Sequence, residues 1–260
     1  MRLRIPFLRP PLMIDCMADG VALAAGGFAA RCAVPTAGAG TAPSWQAMVE
    51  ALRELLGAGC GGARRARIVL SDRFVRYCLI PAAAGIARAD EAAAYARHAF
   101  RGEYGATVEN WRVCVDSDAA GTGMAALIEG GLWEGLQGAC VEAGLTVDSI
   151  APHFAAAQAA LAPRLGRGDA WLALHESGHL CAALHAGGTW RHCLSARLAP
   201  GAVLDAAALV ATLEAQSIGV PAARSVRALN LVTAPRVAAA LQAPAGWNLQ
   251  RWVDPCVAAA

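Results

Sequence analysis

The 260-residue chain contains no lysine; its 22 basic side chains are all arginine. That absence excludes Schiff-base chemistry, phosphate-loop NTPases, kinase-type phosphoryl transfer and Ser-x-x-Lys acylation, which all need a lysine amine. Net charge is scarce too. Twenty acidic residues oppose the arginines, leaving +2, a balance that gives no electrostatic case for nucleic acid or an anionic membrane. Long apolar runs are lacking: the richest stretch, Leu198 to Leu213, is short for a bilayer and carries Pro200 and Asp205. The basic N-terminus breaks at Pro6 and Pro10, without the apolar run of a secretory signal. The nine cysteines include no C-x-x-C pair, so neither a zinc ribbon nor a thioredoxin-type site is indicated. They read as small buried hydrophobes in a reducing compartment. No serine sits in a G-x-S-x-G elbow.

What is present is apolar. The AVILMFWYC class reaches 57%, and alanine alone fills about a quarter of the positions, which excludes a disordered or collagen-like chain. The length suits one large domain or two halves of about 130 residues.

Two segments share one pattern. Leu12 to Gly27 reads as strand, tight turn at Asp19-Gly20, strand; Trp171 to Gly188 reads the same way, and both end in Gly-Gly. Each is followed by a short strand, a helix and a strand: Ala29–Val34, Trp45–Leu56 and Arg67–Ser71, then Thr189–Ser195, Asp205–Ala215 and Ser225–Val232. Apolar spacing of three and four marks the helices, through Val49, Leu52, Leu55 and Leu56 and through Leu209, Val210 and Leu213. A β-β-β-α-β order occurring twice predicts an internal duplication of an α/β unit. Between the halves the chain reads as strand Phe74–Ile80, helix Ala89–Phe100, strands Trp111–Val115 and Gly123–Glu129, helix Leu132–Ala143, strand Leu145–Ile150 and helix Pro152–Leu161. The Pro/Gly/Arg stretch Pro163–Asp169 is the best domain boundary. Residues from Ala243 onward carry no strong pattern.

This order of elements resembles the actin-like (ribonuclease-H-like) assembly proteins of type IV pilus and type II secretion machines, the PilM type and the cytoplasmic part of GspL. Glu142-Ala-Gly-Leu-Thr-Val-Asp148 is similar to the helix, Ala-Gly-Leu, strand, Asp junction of that group, and Val69–Pro81 to its first-lobe strand entering the insert. The resemblance implies a two-lobed α/β fold: a first lobe at 10–162, including an inserted subdomain at about 73–130, and a second lobe at 168–260. It also implies a nucleotide cleft between lobes in some members and a scaffold role in others. The positions matching the phosphate-holding turns are Asp15, Asp19 and Gly20, then Glu176, Ser177 and Gly178. They depart from the ATP-binding pattern. Cys16, Met17 and Ala18 stand where a small hydroxyl residue is expected, and His175 where a metal-holding Asp would start the turn. The segment Leu231-Val-Thr-Ala-Pro235 lacks the expected Gly-Gly. No cofactor is therefore expected.

A competing motif overlaps the second turn. His175-Glu-Ser-Gly-His179 matches H-E-x-x-H, which on a helix would place two zinc ligands one turn apart with Glu176 as general base; His185 falls at a third-ligand spacing. The strand-like Trp171–Leu174 before it and the turn chemistry of Glu-Ser-Gly favour a hairpin instead. All five methionines precede the motif, so no Met-turn can follow it. Asp116-Ser-Asp118 lacks the twelfth-position Glu of a calcium loop. Arg73, Arg76 and Tyr77, read as lying on a strand between the two lobes, form a candidate partner groove.

The leading expectation is a non-catalytic cytoplasmic scaffold, peripheral at the inner membrane through its partners, with no membrane span of its own. It would bind the N-terminal tail of an inner-membrane assembly protein, with the assembly ATPase as a second partner. The alternatives are a zinc metallopeptidase built on His175, Glu176, His179 and His185, and an actin-like ATPase.

Overall fold

A computed structural model describes residues 10–34, 44–81, 86, 88–117, 123–166, 168–176, 178–198, 205–234, 237–238 and 241–255. Its contacts fall into two compact units, one drawn from Met1–Ser71 and Gly131–His153, the other from Asp72–Gly130 and Phe154–Pro255.

The first unit is a five-stranded sheet in the order β3-β2-β1-β4-β8. Strands β1 (Leu12–Met17), β2 (Gly20–Ala25) and β3 (Phe28–Ala33) form an antiparallel meander; β4 (Arg65–Leu70) joins β1, and β8 (Thr146–Pro152) joins β4, in parallel. Helix α1 (Trp45–Ala58) starts where the Ser44 side chain accepts a hydrogen bond from the Ala47 N–H, and it stops at Gly59, whose φ of 139° bars other residues. It buries Met48, Leu52 and Leu56, one stripe at a spacing of four. Helix α3 (Gly130–Glu142) meets α1 through glycines. A Cβ on Gly131 would stand 3.2 Å from the Trp45 ring, and one on Gly135 3.3 Å from Val49.

The second unit repeats the plan in the order β11-β10-β9-β12-β13. Here β9 (Ala170–Glu176), β10 (His179–Ala186) and β11 (Thr189–Arg197) form the meander, and β12 (Ala228–Thr233) and β13 (Asn248–Val253) add in parallel. Helix α5 (Ala206–Gln216) covers one face, burying Leu209, Val210 and Leu213 against Trp171, Leu180, Leu184 and Leu231. Burying a side chain of this size contributes about 1.5–3 kcal/mol. The correspondence between the units extends to the turns. Gly26-Gly27 and Gly187-Gly188 close equivalent two-residue hairpins with positive φ at all four glycines, which is why both turns are Gly-Gly. After each third strand the chain donates back to the first turn, Val34 N–H to the Asp19 carbonyl and Leu198 N–H to the Gly178 carbonyl, both at 3.0 Å. The expected duplication is thus present. The fifth strand of its second copy, β13, falls in the patternless segment that begins at Ala243.

The inserted segment is an antiparallel sheet, β5 (Val75–Ile80), β7 (Gly123–Ile128) and β6 (Arg112–Ser117), under helix α2 (Ala89–Tyr104). Ala92, Ala96, Val108, Trp111 and Leu127 close a small core of its own. In chain order the segment lies within the first lobe; by packing it groups with the C-terminal sheet, because β5 runs beside β11. Helix α4 (His153–Leu161) leads into the second meander. Among the described residues, no helix is long and apolar enough to cross a membrane.

Candidate functional site

Asp72 is fully buried in the 3-10 turn Asp72–Phe74 that opens the inserted segment. Its carboxylate accepts from the Tyr77 hydroxyl at 2.5 Å and from the Phe154 N–H at 2.8 Å. Its own N–H donates to Glu176 Oε1 at 3.1 Å. An ionised carboxylate is tolerated in the interior only with such donors. In return, burial first and the Asp72 charge second push the Tyr77 hydroxyl well above its usual pKa, so it remains a donor. Tyr77 also packs edge-on against Phe154, ring centroids 6.0 Å apart.

Glu176 ends β9 and stands opposite His179, the first residue of β10, in the antiparallel register. Side chains of such a pair share one face of the sheet. His179 is buried, with Nε2 3.1 Å from Ser195 Oγ. Burial lowers its pKa to about 4; the Glu176 carboxylate opposes the shift, while Arg73, Arg76 and Arg197 reinforce it. The ring is therefore neutral at pH 7. Arg73 belongs to the same neighbourhood: a Cβ on Gly178, whose φ is +69°, would stand 3.5 Å from Arg73 Nη2. Arg76 is held by three acceptors, the Tyr104 hydroxyl at 2.8 Å and the carbonyls of Arg73 and Val75, and its guanidinium lies 5.6 Å from the Tyr104 ring centroid.

Two residue groups that read as separate in the sequence are thus joined. Tyr77 reaches Glu176 through Asp72, and Arg73 reaches the Gly178 turn. Ser177 lies outside the described residues. Sequence reasoning missed Asp72, Ser195 and Phe154; only Asp72 left a signal, as the Ser71-Asp72 turn pair just before a strand.

The H-E-x-x-H segment forms a hairpin, with no helical turn. His175 pairs with Leu180, one position before the Glu176–His179 pair, so strand alternation puts His175 and His179 on opposite faces. His175 Nδ1 meets Thr233 Oγ1 at 3.1 Å, and burial lowers its pKa. His185 lies six residues beyond His179 along β10, roughly 20 Å at strand spacing, edge-on to Trp190. The one-face register that the peptidase reading requires is not formed.

In the other unit, Asp15 and Cys16 are buried on β1, and Ala18-Asp19 turn the chain. Burial, then the neighbouring Cys140 and Asp15, pushes the Cys16 thiol far up. Gly20 is required by close approach, since a Cβ there would lie 3.1 Å from the Cys32 carbonyl oxygen. Asp19 stands in the first turn and Glu176 borders the second, so each turn has a carboxylate beside it.

No family model and no curated protein matches the sequence. Solved structures do match. A chain of a PilM–PilN type IV pilus biogenesis complex superposes with a TM-score of 0.64 at 16% identity, covering 93% of this chain and 88% of that one. The cytoplasmic domain of EpsL, an inner-membrane component of the type II secretion system of Vibrio cholerae, gives 0.55 at 12% identity, with the same coverage. A Bacteroides thetaiotaomicron protein with an actin-like ATPase fold gives 0.55 at 12%, over 90% of this chain and 85% of that one. The chain has the actin-like fold: a two-lobed α/β duplication with an inserted small subdomain.

Proposed function

We propose that this chain is a non-catalytic scaffold of a type IV pilus or type II secretion assembly platform, which captures the N-terminal tail of an inner-membrane partner. The observation that carries the reading is the likeness to the PilM–PilN complex over nearly the whole of both chains. Two features of the chain support it. The first turn has Cys16, Met17 and Ala18 where the ATP-binding pattern has a small hydroxyl residue, and the second is tied by its Glu176 to the inserted segment through Asp72. A turn that spends its carboxylate on a backbone N–H is built for rigidity. The tail would dock beside the inserted sheet, where Arg73 supplies charge and Arg76 and Tyr77 hold the local shape. The assembly ATPase is a second partner in this scheme, and the site of action is the cytoplasmic face of the inner membrane.

The test is calorimetry of the purified chain with synthetic peptides copying N-terminal tails of inner-membrane pilus and secretion proteins from the same genome. One peptide should bind with roughly micromolar affinity, and Arg73→Glu should weaken it tenfold or more. ATP turnover, or stoichiometric zinc lost on His179→Ala, with no peptide bound, would replace the scaffold by one of the enzymatic readings.

A further inference from the structure

The polar network occupies the Glu176 end of β9. At the other end of that strand, roughly 20 Å away at strand spacing, a groove of about 510 Å³ opens between the end of α4 and the sheet. That volume lies within the range of small-molecule sites. A register change builds its wall. Leu184 pairs with His192 but His185 pairs with Trp190, leaving Arg191 as the extra residue of a β-bulge. Without the bulge, an arginine would stand opposite His185; with it, the Trp190 ring does, edge-on at 5.4 Å. Arg191 donates instead to the Ala186 carbonyl at 3.0 Å. Bulges re-aim side chains in this way beside binding sites.

Among the described residues, the lining of the resulting groove contains no Asp, Glu or Arg. Leu165 and Leu172 make it apolar, and Trp190 adds an aromatic surface. Its polar groups are two carboxamides and an imidazole. Asn230 uses its oxygen to accept from Trp252 Nε1 at 3.1 Å, which leaves its amide N–H groups available. Among the described residues, neither the Gln158 carboxamide nor the His185 ring makes a side-chain hydrogen bond. Carboxamides pair with other amide edges, donor to acceptor and acceptor to donor. A charged ligand would lose hydration there and meet no opposite charge among the described residues of the lining.

We propose that this groove binds a small, uncharged, planar molecule with an amide-type donor–acceptor edge. The planar body lies against Trp190, and the edge meets Asn230 and Gln158. This site is independent of partner capture at the inserted segment.

The probe is benzamide, with benzoate as its charged counterpart, titrated against the full chain. The readout is the indole N–H signal of Trp190, assigned among the seven tryptophans by its loss in Trp190→Phe. Benzamide should shift that signal saturably, at a dissociation constant on the order of a millimolar, and benzoate should bind at least about fivefold more weakly. Gln158→Leu should weaken benzamide about tenfold, the loss expected when a site's amide partner is removed, with the other indole signals unmoved as proof of folding. The proposal is overturned by any of three results: no saturable shift at about 20 mM, benzoate binding as tightly as benzamide, or equal shifts at all the indoles.

Discussion

The two meanders share strand order, Gly-Gly second turns and the same return hydrogen bond to the first turn, yet their first turns are held by opposite chemistry. At β1–β2 the anchoring is close packing: Cys16 is sealed beside Cys140, and Gly20 leaves room for the Cys32 carbonyl. At β9–β10 it is polar, through Glu176 to Asp72, His179 to Ser195 and His175 to Thr233. Backbone ladders carry the topology, so side chains at the turn are free to be replaced wholesale. The second turn has used that freedom to tie itself to the inserted segment.

The largest test of this contrast is Asp72→Ala. It strands the Tyr77 hydroxyl and the Phe154 N–H in the interior and removes a charged acceptor, at a cost of about 3–5 kcal/mol in urea denaturation. Cys16→Ala at the first turn only trims a buried sulfur and should cost about 1–2 kcal/mol. Equal losses would show that the two anchors do not differ in kind.

Next in size is a pH effect at the second turn. His179 titrates near 4 when folded and near 6.5 when unfolded. Both states are neutral at pH 7, so the shift has no effect there. As pH falls below 6.5 the unfolded chain takes up a proton that the folded chain refuses. Stability therefore drops until about pH 4, by on the order of 3 kcal/mol. His175 and His192, also lowered by burial, act in the same direction. Denaturation at pH 7, 5.5 and 4.5 should show His179→Gln losing much of this slope; an unchanged slope would remove His179 as its source.

The two turns differ in legibility for the same reason that they differ in chemistry. Gly26-Gly27 and Gly187-Gly188 are readable because positive φ leaves few residues to choose from. The stripe Met48, Leu52, Leu56 is readable because a helix repeats its buried face locally. The Asp72 network is not, since beyond the nearby Tyr77 its hydrogen bonds to Glu176 and Phe154 span 104 and 82 residues, and no local period connects them. H-E-x-x-H misleads because a spacing of four fits a helix face, while Glu-Ser-Gly breaks that helix at its centre. Strand β13 escaped because it is an edge strand whose Leu249 and Trp252 are only half-buried, so its alternation is faint.

The glycines of the first turns separate the two anchors more finely. Gly20→Ala pushes a Cβ to 3.1 Å from a carbonyl of the paired strand, and Gly178→Ala forces alanine to a φ of +69°; each should cost about 1–2 kcal/mol. Asparagine distinguishes them. It tolerates the left-handed region, so Gly178→Asn should recover most of the loss. Gly20→Asn keeps the clash and should recover nothing. If both positions respond alike, close approach is not what demands glycine at 20.

The smallest contrast lies at the helices that follow each meander. Ser44 accepts one N–H at the start of α1, that of Ala47, whereas Asp205 accepts two at the start of α5, those of Ala207 and Ala208. A carboxylate at a helix N-terminus also meets the positive end of the helix dipole, and a hydroxyl does not. Asp205→Ala should therefore cost about 1–1.5 kcal/mol and Ser44→Ala about 0.5–1 kcal/mol. Asp205→Asn tells the two contributions apart: it keeps a side-chain acceptor and removes the charge, so the part of the loss that it reproduces should shrink as salt is raised. A salt-independent Asp205→Asn loss would assign the stronger cap to its second hydrogen bond alone, and the two halves would then differ at their helix starts by geometry, with charge playing no part.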